Sequence, residues 1–394
     1  EPAGFTTNIG HIARAIDFDG DGREDMIRRL DTSTWRVHLA GGGNQGPALS
    51  NTDATRYVDI AGGPTPADTI RLAPTDVSGD GLPDLVFLDN TGKWHVRKHS
   101  GPRPDLLISA TDGLGNVFQP RYEALATLAS YTRNGTAGNG EYLLRGGSLS
   151  VVAQYTANDG IGTTYTSNYA YWNGKVNRLG RGFLGFEKIR ATDSRYAALH
   201  GVAVYNDTNH RQDFPFIGVP DLVTTQRSDG RKLSERRLVW GSHAKASAPA
   251  DAAGDYHFPY LQSESRDEYE ADTEGGGLGQ LVSTTSRTLT YDFNHGLPVR
   301  EATTVSSPAG SDVFNTTVTT IFDETARTAQ YCLGLPQRVD TTRDVSSAGA
   351  TTRTVLYAWS ATTCRQLTEL TGTPGPLAQL LVTTRSWNNT GQLT

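Results

Sequence analysis

The sequence predicts an all-β chain, and three observations carry that prediction. Threonine, valine and tyrosine recur in short alternating runs, 43 glycines and 18 prolines interrupt them across 394 residues, and helix-period patterning is sparse. β-Branched and aromatic side chains suit a pleated, half-buried surface, whereas Gly and Pro supply the backbone angles that turns require. A single Met argues against a Met-lined helical groove. The net charge of -6 and a pI near 5.9 disfavour nucleic acid or an anionic membrane as the main partner. The longest apolar run, around Leu85-Val86-Phe87-Leu88, suits one strand and is far from the ~20 residues that span a bilayer. The chain opens at Glu1 without a basic segment followed by an apolar one, which reads as a processed or truncated piece.

The first hundred residues contain a repeat at an offset of 59. Asp17, Gly20, Asp21, Gly22, Asp25, Trp35 and Val37 return as Asp76, Gly79, Asp80, Gly81, Asp84, Trp94 and Val96. Each copy is an acidic Gly loop, a strand, a turn, and a second strand carrying the Trp. Hairpin repeats of this length suggest propeller blades or a β array, and two copies are too few to close a propeller.

Gly101-Pro102-Arg103-Pro104 marks a boundary, after which aromatic strands alternate, as in Tyr165, Tyr169 and Tyr171. Asn173-Gly174 predicts a type I′ hairpin turn, residues 134–140 an exposed loop, and Glu123 to Tyr131 a short helix. From about Ala203 onward, strands are separated by Gly/Pro/Asn turns. Gly296-Leu297-Pro298 returns 38 residues later as Gly334-Leu335-Pro336, preceded by Tyr291-Asp292 and Phe322-Asp323 respectively. Residues 244–254 read as an inserted loop.

The first acidic loop spaces carboxylates at Asp17, Asp19, Asp21 and Asp25, with the carbonyl of Arg23 as a further oxygen. Calcium takes six to eight hard oxygens, and like charges this close favour a cation between them. The second loop offers Asp76, Ser78, Asp80 and Asp84 with the carbonyl of Leu82; one carboxylate fewer predicts weaker binding. Both lack the position-12 Glu of an EF-hand. The bland alternative is a pair of Asp/Gly turns without metal, and the recurrence of the spacing favours calcium. Such an ion is structural, since one closed loop supplies nearly every ligand.

Cys332 and Cys364, the only two cysteines, read as one disulfide in an oxidising compartment; the alternative is two unrelated buried thiols. Gly180-Arg181-Gly182-Phe183-Leu184-Gly185 matches a dinucleotide fingerprint in letters alone, because an alternating strand rather than a helix follows it. His95 and His99 sit four apart but on a predicted strand, and the nine histidines form no H-E-x-x-H or H-x-H, which disfavours catalytic zinc. Motifs for nucleophilic or phosphate chemistry are missing, so a non-enzymatic role is expected. Sequons occur at Asn134, Asn206, Asn315 and Asn388.

These residues carry a family likeness. The two D-x-[DS]-G-D-G-x-x-D loops resemble the calcium-binding FG-GAP/VCBS repeats of propeller blades. Val151-Val152-Ala153-Gln154-Tyr155 through Arg181-Gly182-Phe183-Leu184-Gly185-Phe186 to Asp193 is similar to the block joining such repeats to Rhs cores in B subunits of insecticidal toxin complexes. The Tyr291-Asp292…Gly296-Leu297-Pro298 units resemble YD (Rhs) repeats. The resemblance implies three segments: residues 1–100, two calcium-binding repeats; 101–202, a connecting β region; and 203–394, a YD/Rhs-like β-repeat segment. It further implies a secreted or surface-exposed β shell that encloses or docks a toxin cargo and performs no catalysis in this part. Its partners would be the remainder of the same polypeptide or a partner toxin subunit. Two other functions compete: an extracellular adhesion or ligand-binding module using the surface near Trp35 and Trp94, and, less favoured, a secreted hydrolase.

Overall fold

The computed structural model describes residues 14–19, 23–29, 34–40, 57–61, 72–88, 92–99, 106–138, 140–144, 147, 149–245, 256–271, 278–323, 332–372 and 381–394. The chain is all-β, and it divides into two compact units, residues 1–176 with 193–195 and residues 177–192 with 196–394.

In the first unit the leading repeat is an antiparallel sheet of β1 (Arg14–Ile16), β2 (Asp25–Arg29), β3 (Thr34–His38) and β4 (Tyr57–Ala61), in that order. The second repeat is a three-stranded antiparallel sheet of β5 (Leu72–Thr75), β6 (Asp84–Leu88) and β7 (Trp94–Arg97). Alternation along β2 and β3 turns Ile27, Trp35 and Val37 inward to complete burial, and they cluster with Ile16, Phe18, Leu85 and Phe87. Period-2 patterning therefore builds a core shared by both repeats. The equivalent Trp94 and Val96 of β7 are 59% and 43% exposed.

The same unit continues with β8 (Ala110–Thr111), β9 (Val117–Ala124), β10 (Tyr131–Thr132), β11 (Glu141–Leu143), β12 (Ser150–Asn158), β13 (Thr164–Trp172) and β14 (Lys175–Asn177). β9 pairs antiparallel with β8 and β12, β12 with β13, and β10 joins β13 in parallel. Tyr155, Tyr165, Tyr169 and Tyr171 form a run of neighbouring rings with centroids 6.1–6.4 Å apart. Burial pushes the Tyr171 phenol up to about 12, and its hydroxyl donates to the Val152 carbonyl at 2.7 Å.

Two local expectations are corrected here. Residues 125–130 form turns rather than a helix, with Leu125 and Leu128 buried in the connection from β9 to β10. Asn173 has the expected positive φ of 50°, yet Asn173-Gly174 does not fold β13 back on itself. Instead β14 pairs with β11, and the buried Asn173 side chain accepts the amides of Asn134 and Gly135, each at 2.8 Å. That bond anchors the start of the expected exposed loop at 134–140.

The second unit begins with β15 (Gly182–Phe183) and β16 (Lys188–Asp193), after which comes α1 (Ser194–His200). Gly180, Gly182 and Gly185 all take positive φ, Gly180 in a turn and Gly182 as the first residue of β15. The strands β17 (Val204–His210), β18 (Pro220–Arg227), β19 (Lys232–Lys245), β20 (Tyr256–Tyr269), β21 (Leu281–Asp292), β22 (Leu297–Ser306), β23 (Phe314–Phe322), β24 (Pro336–Val345), β25 (Gly349–Trp359), β26 (Gln366–Gly372) and β27 (Leu381–Thr384) follow in sheet order as an antiparallel meander. Ala244 and Lys245 of the expected inserted loop belong to β19; residues 246–254 lie outside the described residues.

The 38-residue repeat is a hairpin device. Tyr291 pairs with Pro298 and Phe322 with Pro336, each just after a register shift. His210 and Pro220 repeat the arrangement, so Gly218-Val219-Pro220 is a third copy that sequence reading missed. Strand ends are also fastened by indoles. Trp240 Nε1 donates to Pro220 O, Trp359 Nε1 to Pro336 O and Trp387 Nε1 to Gln366 O, all at 2.7 Å. Cys332 and Cys364 are joined, with Cα atoms 5.9 Å apart and a sequence separation of 32. Closing a loop of that length is worth about 4 kcal/mol through the unfolded chain.

Charged pairs rather than a thick apolar core connect these strands. Arg190 grips Asp207 with two bonds of 2.6 and 2.7 Å. Arg236 reaches Glu264 at 2.7 Å, and Arg287 holds Glu301 with bonds of 2.8 and 2.9 Å. Within β19 itself, Lys232 and Arg237 both pair with Glu235, which is 3% exposed.

Candidate metal centre in the first repeat

Each acidic loop is built on its last aspartate. Asp25 follows the loop as the first residue of β2, where the pleat turns it inward to 2% exposure. Its Oδ2 accepts the Phe18 amide at 2.9 Å and its Oδ1 the Ala40 amide at 2.7 Å. Asp84 repeats both bonds one repeat later, to Val77 at 3.0 Å and His99 at 2.8 Å. This carboxylate ties the head of each loop to the tail of its own repeat. Leaving such buried amides without an acceptor would cost about 1–3 kcal/mol each, which explains why this position is Asp in both copies before any metal is considered.

The loops differ beyond that clamp. In the first, Asp17, Asp19 and Asp25 bring one carboxylate oxygen each to within 4.8 Å of the others. Charges at that spacing repel by roughly 3 kcal/mol per pair at an effective dielectric of ~20. Hard oxygens converging from one short loop fit calcium in ligand type and flexibility. Arg23 is exposed, and Asp21 lies outside the described residues.

In the second loop the carboxylates are occupied by the loop's own amides. Asp76 Oδ1 accepts from Gly79 at 2.6 Å and Asp80 at 3.1 Å, with the Ser78 hydroxyl at 3.4 Å, and its Oδ2 accepts from Gly81 at 2.9 Å. Asp84 Oδ2 takes the Ser78 amide as well, at 2.7 Å, and Asp80 Oδ1 takes that of Leu82 at 2.9 Å. Gly79 (φ 76°) is required twice over: a Cβ there would lie 2.6 Å from the Ala126 Cβ. Asp76, Asp80 and Asp84 do not converge as the first loop's acids do.

The flanking histidines stack rather than ligate. His99 lies on Phe18, 4.3 Å between centroids, and His95 on Phe87 at 5.2 Å. The tryptophans divide, Trp35 into the core and Trp94 to solvent.

Residues 44–214 match the model of a family described as the insecticide toxin TcdB middle/N-terminal region. The fold matches a chain of the Photorhabdus luminescens Tc holotoxin pore carrying a TccC3 mutation, with TM-score 0.62 and 13% identity over 91% of this chain and 22% of that one. It also matches the TcdB2-TccC3-Cdc42 complex (TM-score 0.61, 12% identity, 91% and 22%) and TcdB2-TccC3 (0.59, 13%, 91% and 22%). The chain thus resembles that toxin family over residues 44–214 and shares the fold of these Tc chains. It spans about a fifth of the length of these Tc chains. No curated protein sequence matches it. Among the described residues, no helix is long and apolar enough to cross a membrane.

Proposed function

We propose that this chain belongs to a Tc-type toxin and is a non-catalytic wall segment of a secreted or surface-exposed β shell that encloses or docks a toxin cargo. The observation that carries this is the long meander of the second unit. Antiparallel sheets ordinarily bury one apolar face. Among the described residues of these strands, the buried ones are Asp207, Thr224, Arg227, Glu235 and Thr371 beside Val204 and Leu238, and ion pairs knit neighbouring strands. A single sheet wetted on both sides suits a container wall better than the core of a globular enzyme. The Cys332–Cys364 bond supports an oxidising destination. The remainder of the same polypeptide or a partner toxin subunit completes the shell.

In this reading residues 1–100 are FG-GAP/VCBS-like calcium repeats, 101–202 the connecting β region and 203–394 the YD/Rhs-like segment. Calcium is held by Asp17, Asp19, Asp21, Asp25 and the Arg23 carbonyl, and more weakly by Asp76, Ser78, Asp80, Asp84 and the Leu82 carbonyl. The convergence of Asp17, Asp19 and Asp25 supports the first site. The ion would neutralise the loop and stiffen the blade. Exposed Trp94 and Val96 favour a second reading, a β module that binds an extracellular ligand through this face.

The wall reading is tested by single cysteines on opposite faces of β21, at Thr288 and at Leu289, in the assembled toxin containing this chain. One position should resist a bulky, impermeant maleimide until the assembly is opened. Equal labelling of both from the start would refute a wall with an inside and an outside.

A further inference from the structure

Two five-residue turns, outside the metal loops and the meander, are built alike. Asp112-Gly113-Leu114-Gly115-Asn116 joins β8 to β9, and Asp159-Gly160-Ile161-Gly162-Thr163 joins β12 to β13. In each, the aspartate amide donates to the carbonyl of the fifth residue at 3.0 Å. The aspartate Oδ1 accepts the amides of the third and fifth residues: 2.9 and 2.9 Å at Asp112, 2.9 and 3.0 Å at Asp159. Its Oδ2 accepts from the fifth side chain, Asn116 Nδ2 or Thr163 Oγ1. Those side-chain bonds first, then the amides, hold both carboxyls below their usual range.

The third residue of each turn is a bare aliphatic pointing away from the protein, Leu114 at 89% and Ile161 at 87% exposure. Phe118 pairs with Ala157 across β9 and β12, so both turns leave the same end of the sheet side by side. A cleft of about 280 Å³ beside them is lined by Val117, Phe118 and Ala157 together with Asp112, Asn116 and Asn158. Folding alone gives no reason to hold two aliphatic side chains in water on turns this heavily bonded.

We propose that the paired tips are a docking site for a partner protein whose surface offers apolar sockets rimmed by lysine or arginine, with Leu114 and Ile161 as the anchors. A few residues carry most of the energy of such contacts, and holding them in place beforehand removes the ordering cost of binding. Charge selects the occupant. Asp112 and Asp159 stand at the base of the anchors, and complementary charge belongs opposite them. A second copy would face these carboxylates with two more, and an anionic bilayer would repel them. The inference does not depend on the calcium or shell readings.

The test uses the full chain and two short synthetic peptides, one alternating leucine with lysine and one alternating leucine with glutamate, read by fluorescence anisotropy. The lysine peptide should bind and the glutamate peptide should not. L114S/I161S should weaken binding about a hundredfold, near tenfold for each anchor. D112N/D159N should erase the preference for lysine while leaving the turns intact, since Asn388 holds the same turn at Asn388–Gln392 through bonds of 3.1 and 2.9 Å. Lysine-peptide binding that ignores L114S/I161S would overturn the proposal. So would vesicle binding, of zwitterionic or anionic lipid, that depends on Leu114 and Ile161, or sedimentation showing a self-association that L114S/I161S abolishes.

Discussion

The two N-terminal repeats share their spacing, their loop-closing aspartate and their hairpin, yet they occupy opposite physical situations. Trp35 and Val37 fill the core, whereas Trp94 and Val96 at the same positions face solvent. The first loop brings three carboxylates together, and the second fills its carboxylates with its own amides. A repeated sequence therefore sets local bonding twice, but burial and charge balance are settled separately for each copy by what packs beside it.

The sharpest way to break this comparison is the tryptophan pair. Trp35→Ala should cost about 3–5 kcal/mol, the range for emptying a large buried aromatic site. Trp94→Ala should cost under ~1 kcal/mol. Urea unfolding of both variants measures this, and equal losses would mean that the repeats are equivalent after all.

A somewhat smaller effect is expected at the shared clamp. Asp84→Ala removes the acceptor of the Val77, Ser78 and His99 amides and should destabilise by about 2–4 kcal/mol. Most of the loss should persist in chelator, with calcium adding a smaller part, so a loss seen only with calcium would make Asp84 a ligand and no clamp.

Calcium itself separates the loops. At a hundred times its dissociation constant an ion stabilises by about 3 kcal/mol. Chelation should lower the melting temperature, Asp17→Asn should remove most of that response, and Asp76→Asn should remove less. Melting unaffected by chelator would eliminate the metal at both loops.

The smallest effect concerns acid. The Arg287 guanidinium holds the Glu301 carboxyl below its usual range. A lowered folded value gives stability that is present above the unfolded value and lost as pH falls through the folded one. The pair is about one-third exposed, so solvent discounts its strength. Glu301→Gln should slightly flatten the acid limb of stability below the ordinary carboxylate range. A limb left unchanged would show the pair to be energetically silent.

Hairpins were the most legible part of the fold. The Gly-Leu-Pro units at 296 and 334 announce strand starts because Gly takes positive φ and Pro fixes the next backbone angle, and both Gly296 and Gly334 do so, at 70° and 78°. The copy at Gly218 escaped notice because valine replaces leucine and histidine replaces the leading aromatic. The candidate site was legible in its spacing, though not in the amides that fill the second loop's carboxylates or in the convergence of Asp17, Asp19 and Asp25. The indole clasps gave no sequence signal, since each joins a Trp to a carbonyl about twenty residues earlier.

By itself, then, the sequence determined the β class, the 59-residue duplication and the turns between strands. These follow from backbone sterics and period-2 patterning within a few neighbouring residues. Tertiary structure alone decided that Trp35 is core and Trp94 surface, that residues 125–130 turn rather than coil into a helix, and that Asn173 braces a distant loop. Each of those outcomes depends on partners supplied from elsewhere in the chain, and a local pattern carries no information about what will pack against it.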